Sequence, residues 1–227
     1  MIFWINLSTL LLVVLAGGLG IHSLARNPKS TVVRLWFFLS LAVALWGIGY
    51  ILTNMADNEV TAARHIRVVY FAASLIPVLF FHFIVSFIYK TNKFSFLLAG
   101  GYLLAAVFLI LNFGTNYVIK GVRQLPDLGY YEEITAPGFY FFLVYFFFFA
   151  LYAIWLLLKE YQHSDGIRRR QILYLILASV VGFIGGGSNF LADLTGAYPY
   201  GQLLVWLYPV LITYGIFTPL QIKITQG

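Results

Sequence analysis

"ILYLILASVVGFIGGGSNFLADL", residues Ile172 to Leu194, decides how this chain is read. At 1.5 Å per residue a helix of this length crosses a hydrocarbon core of about 30 Å. Its one charge, Asp193, stands next to last. Against that apolar background Gly185, Gly186 and Gly187 stand in a row, with Asn189 just beyond. On a helix Gly182, Gly185 or Gly186, Asn189 and Asp193 recur at steps of three and four and share one face. Ala178 extends that face with another small residue. Spacing of the form Ala178-xxx-Gly182-xxx-Gly186 lets two membrane helices approach closely. Asn189 adds a demand, because lipid offers an amide no hydrogen-bond partner. A narrow, polar face suits either a tight helix contact or the side of a pocket. A third reading breaks the helix at Gly185–Gly187, as in transporters whose interrupted helices line cavities.

The rest of the chain repeats the apolar pattern. Of 227 residues 61% are hydrophobic and 10% charged, with a mean hydropathy of +0.88. Soluble domains carry about 25% charged residues, so the class is an all-α membrane protein. The spans expected are Ile2–Leu24, Val32–Asn54, Arg64–Tyr89, Phe94–Phe113, Phe139–Leu158, Ile172–Leu194 and Gln202–Ile222, a seven-transmembrane helix bundle. Alternating segments of about 10 residues, the mark of a membrane β-barrel, are absent. No internal repeat divides the chain, so residues 1–227 read as one domain.

Charge sets the direction. Arg26, Lys29, Arg34, Lys90, Lys93, Lys159, Arg168, Arg169, Arg170 and Lys223, ten of the fourteen basic residues, fall on one side. The other side holds Arg64, Arg67, Lys120 and Arg123, with Asp57, Glu59, Asp127, Glu132, Glu133 and Asp193. The positive-inside rule then places the N-terminus outside and the C-terminus in the cytoplasm. The same rule accounts for the net charge of +6 without nucleic acid. No basic residue precedes the first span and three follow it, which argues for an uncleaved anchor over a signal peptide. The long outer connection, Gly114–Gly138, carries Tyr117, Val118, Ile119, Leu125, Tyr130 and Tyr131. Folded back as a hairpin or interfacial helix, it would be a lid over the bundle mouth.

The third span offers Arg67, Tyr70, Ser74, Pro77, His82 and Ser86. Arg67, about one turn inside the outer end, has Asp193 and Glu59 as candidate ion-pair partners. No cysteine is present, so disulfides, thiolate nucleophiles and Cys-ligated clusters are out. The histidines scatter over both sides and do not suggest a metal site. A retinal Schiff base needs a lysine buried in mid-membrane, and the last span has only Lys223 at its edge. Ser188 lacks the nucleophile-elbow context, and no phosphate loop or dinucleotide fingerprint occurs. No catalytic residue, metal or cofactor is expected.

Several segments resemble the seven-transmembrane N-terminal sensor region of bacterial histidine kinases. They are "RNPKS" (26–30), "ALWGIGYIL" (44–52), "YFAASLIPVLFFHFIVSF" (70–87), "APGFYFFLVYFFFFALYAIWLL" (136–157), "RRRQILYLILASVVGFIGGGSNFL" (168–191) and "YPYGQLLVWLYPVLITYGIF" (198–217). The resemblance implies a multi-pass sensory domain in the bacterial cytoplasmic membrane. It would detect a small-molecule or lipid signal and relay it to a cytoplasmic kinase or other output domain, with a homodimer as a candidate assembly. After Ile222 only "KITQG" follows, which fits the membrane region of a longer receptor, with no cytoplasmic catalytic domain in this chain.

The expected ligand site is an outward-opening pocket between spans three, six and seven, roofed by Gly114–Gly138. Its walls would be Arg67, Tyr70, Ser74, Gly182, Gly186, Asn189, Asp193 and Tyr198. Pro209 lacks a backbone donor and is expected to kink the last span, carrying the signal toward Thr218–Lys223. A small seven-helix transporter is the alternative; it calls for matching interrupted segments in the two halves, and only Gly47 and Gly49 hint at one. A scaffold that merely recruits partners would need no internal cavity.

Overall fold

The computed structural model describes residues 2–125, 130–195 and 199–224, with side chains over the same stretches apart from 125, 130, 191–195 and 218–224. The helices are α1 (Ile2–Arg26), α2 (Thr31–Asn54), α3 (Glu59–Phe87), α4 (Ser95–Gly114), α5 (Pro137–Gln162), α6 (Gly166–Thr195) and α7 (Leu207–Ile224). Strands β1 (Ile119–Leu125) and β2 (Tyr130–Thr135) lie between α4 and α5, and a 3-10 helix over Tyr200–Leu204 leads into α7. The first six helices are long and apolar enough to cross a membrane; the described apolar part of α7, Leu207–Phe217, is shorter. Helices are the form this composition must take, because each backbone N–H and C=O in lipid needs an internal partner.

Local sequence sets the ends. The Ser30 hydroxyl and the Asn58 side-chain oxygen accept the N–H groups of Val33 and Thr61 at the starts of α2 and α3. Pro137 opens α5, where its missing donor costs nothing. The end of α3 turns through Tyr89 at φ 58°, and the N–H groups of Tyr89 and Lys90 reach back to Ser86 O and Val85 O. Arg168 of α6 braces this turn. Its guanidinium lies 4.1 Å from the Phe87 ring centre and donates to Phe87 O at 2.7 Å.

α3 is the axle of the bundle. It packs on α2, α4 and α5, while α1–α2, α5–α6, α6–α7 and α1–α7 contacts close a ring around it. Its residues are buried nearly all round, with Phe80, Phe81, Phe83, Ile84 and Val85 fully enclosed. Pro77 leaves the α3 hydrogen-bond ladder one donor short; just above it Tyr145 of α5 donates its hydroxyl to Ser74 O at 2.8 Å. Glycines bring neighbours close on both sides of α2. A Cβ on Gly47 would meet Val13 at 2.7 Å, and one on Gly49 would meet Val69 at 3.0 Å. These two glycines are filled contacts; α2 is continuous through them.

One open alternative falls away and one expectation is corrected. α6 runs unbroken through Gly185–Gly187. Freed backbone groups in lipid would cost several kcal/mol, against about 1 kcal/mol for each helical glycine. The last span is not one helix: the 3-10 segment ends at Leu204 and α7 begins at Leu207. Pro209 is therefore in the first turn of α7, where its absent N–H has no intrahelical partner to lose. The break precedes the proline. Pro209 starts the helix and does not kink it.

The connection between α4 and α5 forms an antiparallel hairpin, with Val122 opposite Glu133 and Arg123 opposite Glu132. Arg123 pairs with the buried Glu132 at 2.5 Å. The hairpin touches α2, α3 and α6. It buries Val118, Ile119, Val122 and Tyr131 against the bundle, and the Tyr131 hydroxyl donates to Ala56 O at 3.0 Å.

Candidate functional site

A cavity of about 50 Å³ lies inside the bundle, in the half nearer the hairpin. Every helix but α4 contributes to its wall. Leu12 comes from α1, Val43 and Trp46 from α2, Ala73 and Ile76 from α3, and Phe146 from α5. Gly182, Phe183, Gly186 and Phe190 come from α6, with Val205 from the approach to α7 and Tyr208 from its first turn. Among these residues only Trp46 and Tyr208 carry a polar side-chain atom, so the space suits an apolar group. A cavity of this lining is the kind that stays dry.

α6 shapes the cavity with two kinds of residue. Phe183 and Phe190, two turns apart, interlock with aromatic rings of α3 and α5. Phe183 stands 4.8 Å from Phe80, and Phe190 stands 5.0 Å from Phe146 and 5.8 Å from Phe142. The glycines divide the remaining work. A Cβ on Gly182 would meet the Tyr208 ring at 2.5 Å, and one on Gly185 would meet Gly201 O at 2.9 Å. A Cβ on Gly186 would meet nothing within 4 Å. Gly182 and Gly185 thus let α7 and its approach press close, and Gly186 leaves open space. Asn189 is buried, donates to Gly186 O at 3.2 Å, and keeps a buried side-chain oxygen with no partner among the described residues.

The other sequence-predicted wall residues are distributed differently. Gly182 and Gly186 line the cavity, whereas Arg67, Tyr70 and Ser74 do not. Arg67 turns to the end of α4: it donates to Asn112 O, to Thr115 O at 3.3 Å and to the Asn116 side chain at 2.9 Å. Asn112 answers with a bond to Arg67 O at 2.8 Å. Glu59 instead accepts the Gln124 N–H of β1 at 3.2 Å. Tyr70 packs its ring on Phe139 and Phe142, and the Ser74 hydroxyl returns to Tyr70 O at 2.7 Å. The Asp193 side chain and Tyr198 lie outside the described residues, as do the side chains of Thr218–Lys223. His82 bonds the Tyr102 hydroxyl at 2.9 Å, tying α3 to α4.

Sequence reasoning missed Leu12, Val43, Trp46, Ile76, Phe146, Val205 and Tyr208, because apolar cavity walls and lipid-facing surfaces use the same residues. It also missed a polar clasp between α1 and the 3-10 segment. Gln202 is fully buried and donates to the Thr9 hydroxyl at 2.9 Å, while Ser8 donates to Gln202 O at 2.7 Å. The signal was present in principle: Ser8, Thr9 and Gln202 are polar residues at membrane depth that must find one another.

No curated protein and no solved structure matches the chain. The family model for the N-terminal 7TM region of histidine kinase matches residues 8–219. That match runs from within α1 to within α7 and takes in the helices and the hairpin between them. The chain belongs to the family of N-terminal seven-transmembrane regions of histidine kinases, and it is a multi-pass membrane protein.

Proposed function

We propose that this bundle is a receptor for an apolar or lipid-like signal, held in the central cavity and relayed through α7 to a cytoplasmic kinase or other output domain. In this reading the hairpin end faces outward, and the end carrying Arg26, Lys90 and Arg168 faces the cytoplasm of a bacterial cell. The observation that carries the proposal is the open space at Gly186, on a helix whose Gly182 and Gly185 are tightly covered. At about 50 Å³ the cavity has room for a few carbon atoms, such as the end of a chain, and not for a whole lipid. Gly182, Gly186 and Asn189 are the proposed α6 contributors. Arg67, Tyr70 and Ser74 would act by holding the α3 frame against which α7 moves.

Relay follows from what the cavity touches. Val205 and Tyr208 line it, and they flank the break at which the last span changes from 3-10 to α-helix. A bound group that favours one position of this junction shifts α7 by its differential affinity for the two positions. The hairpin, resting on α2, α3 and α6, is the proposed lid.

Solvent extraction and mass spectrometry of protein purified from its native membrane test the proposal. We expect an apolar compound, near one per chain, that is lost from Gly186→Leu while the variant stays folded by circular dichroism. Equal recovery from both proteins would overturn the reading, and uptake of a solute by liposomes carrying the protein would favour a transporter.

A further inference from the structure

α1 and the last span meet in two different ways along their length. Near the hairpin end the Ser8, Thr9 and Gln202 clasp joins them. Toward the opposite end the two helices part, leaving a groove of about 250 Å³, larger than the central cavity of about 50 Å³. Leu19, Val210 and Phe217 give the groove apolar walls, and His22 and Arg26 stand at its mouth. His22 and Arg26 are one turn apart on the same face of α1. Neither side chain has a hydrogen bond or ion pair among the described residues, and the following connection and first turn of α2 add Lys29 and Arg34 without an acid. Thr213, which also lines the groove, keeps a buried hydroxyl with no partner among the described residues. Ser40 shares this, whereas Thr9, Thr53, Ser23, Ser74 and Ser179 each return the hydroxyl to a carbonyl four residues back.

Apolar walls ending in a guanidinium beside an imidazole are complementary to a lipid with an anionic headgroup. A soluble anion would leave the walls bare, and a zwitterionic lipid would bring a second cation to Arg26. We infer that this groove binds an anionic phospholipid of the leaflet at the basic end. Its phosphate is held by Arg26 and His22, and its acyl chain lies along Leu19, Val210 and Phe217. Guanidinium and phosphate form charge-assisted, bidentate bonds, which set the headgroup in register. The lipid bridges α1 and α7, so its presence braces the helix proposed to carry the signal. The site does not depend on a ligand in the central cavity.

Native mass spectrometry of the purified protein, titrated with dioleoylphosphatidylglycerol or dioleoylphosphatidylcholine, tests the inference with identical chains and different headgroups. The first phosphatidylglycerol is expected to bind about ten-fold more tightly than phosphatidylcholine, the effect of one good charged contact. Arg26→Gln should bring the two within about two-fold of each other, while Arg169→Gln, at the same end but outside the groove, leaves the preference intact. Leu19→Trp should weaken both lipids, and Gly186→Leu neither. Equal wild-type affinities, a preference surviving Arg26→Gln, or equal loss in Arg169→Gln would each overturn the site. Displacement of the lipid by millimolar inorganic phosphate alone would make it an anion site and not a lipid site.

Discussion

The two sides of this bundle are built on different principles. Around α3, aromatic rings fill the space: Phe81 is fully buried and lies within 5.4 to 5.7 Å of Phe149, Phe94 and Tyr152. The glycine on that side, Gly101, is covered so closely that a Cβ would meet Phe149 at 2.7 Å. On the side of α1 and the last span, contact is intermittent. The central cavity, the groove at Arg26 and a third depression lined by Trp4, Leu7 and Trp206 all draw on α1 and on the last span or its approach. Packed protein interiors are bistable and do not deform continuously. A filled half next to a half with gaps supports the proposed division into a frame and a moving part, with α7 in the moving part.

That contrast makes ordered predictions. Phe81→Ala removes a ring from the filled side and should cost about 3 kcal/mol, the low end of the range for buried phenylalanine because lipid also solvates the unfolded helices. Reversible unfolding in bicelles or mixed micelles measures it, and a loss under 1 kcal/mol would show that the frame is not tightly packed. Arg67→Met removes the tie between α3 and the end of α4 and should cost about 2 kcal/mol. A double-mutant cycle with Asn116→Ala, whose side-chain oxygen accepts from the Arg67 guanidinium, should show coupling, and simple additivity would mean the two side chains act apart.

The glycines of α6 divide the same way. Gly182→Ala presses a methyl into the Tyr208 ring and should cost about 1–3 kcal/mol. Tyr131→Phe unhooks the hairpin from Ala56 O, costing about 1 kcal/mol, and should raise amide exchange in β1 and β2 while leaving α3 unchanged. Gly186→Ala has room for its methyl and should be neutral or stabilising by up to about 1 kcal/mol. A Gly186→Ala loss as large as that of Gly182→Ala would mean the space beside Gly186 is not there.

Much of the architecture was legible in the sequence, because lipid forces long apolar runs into helices and the loop charges are sided. The hairpin was foreshadowed by aromatic and β-branched residues from Tyr117 to Tyr131. The cavity was legible only in part. Gly182 and Gly186 are the same residue on the same face, yet one is capped by Tyr208 and the other faces a void. That difference lies in what α7 presents, and α7 starts later than its apolar run does. Ile76 lines the cavity and Ile184 is exposed, and nothing in their neighbours distinguishes them. The sequence suggests Arg67 as a wall residue with an acid for partner; in the fold it bonds carbonyls at the end of α4, which no sidedness argument reveals. The position of the break at Val205–Trp206 escaped for a related reason: proline marks a helix's first turn as readily as its bend.

The absence of cysteine permits paired spin labels at any two introduced cysteines. Electron–electron distance measurements should compare Tyr89 with Leu158 of α5, and Tyr89 with Val210 of α7. The account predicts a narrow distribution for the first pair and a broad or double one for the second, which Gly186→Leu sharpens by occupying the cavity. Equal widths for both pairs, unaffected by Gly186→Leu, would contradict the division into frame and moving part.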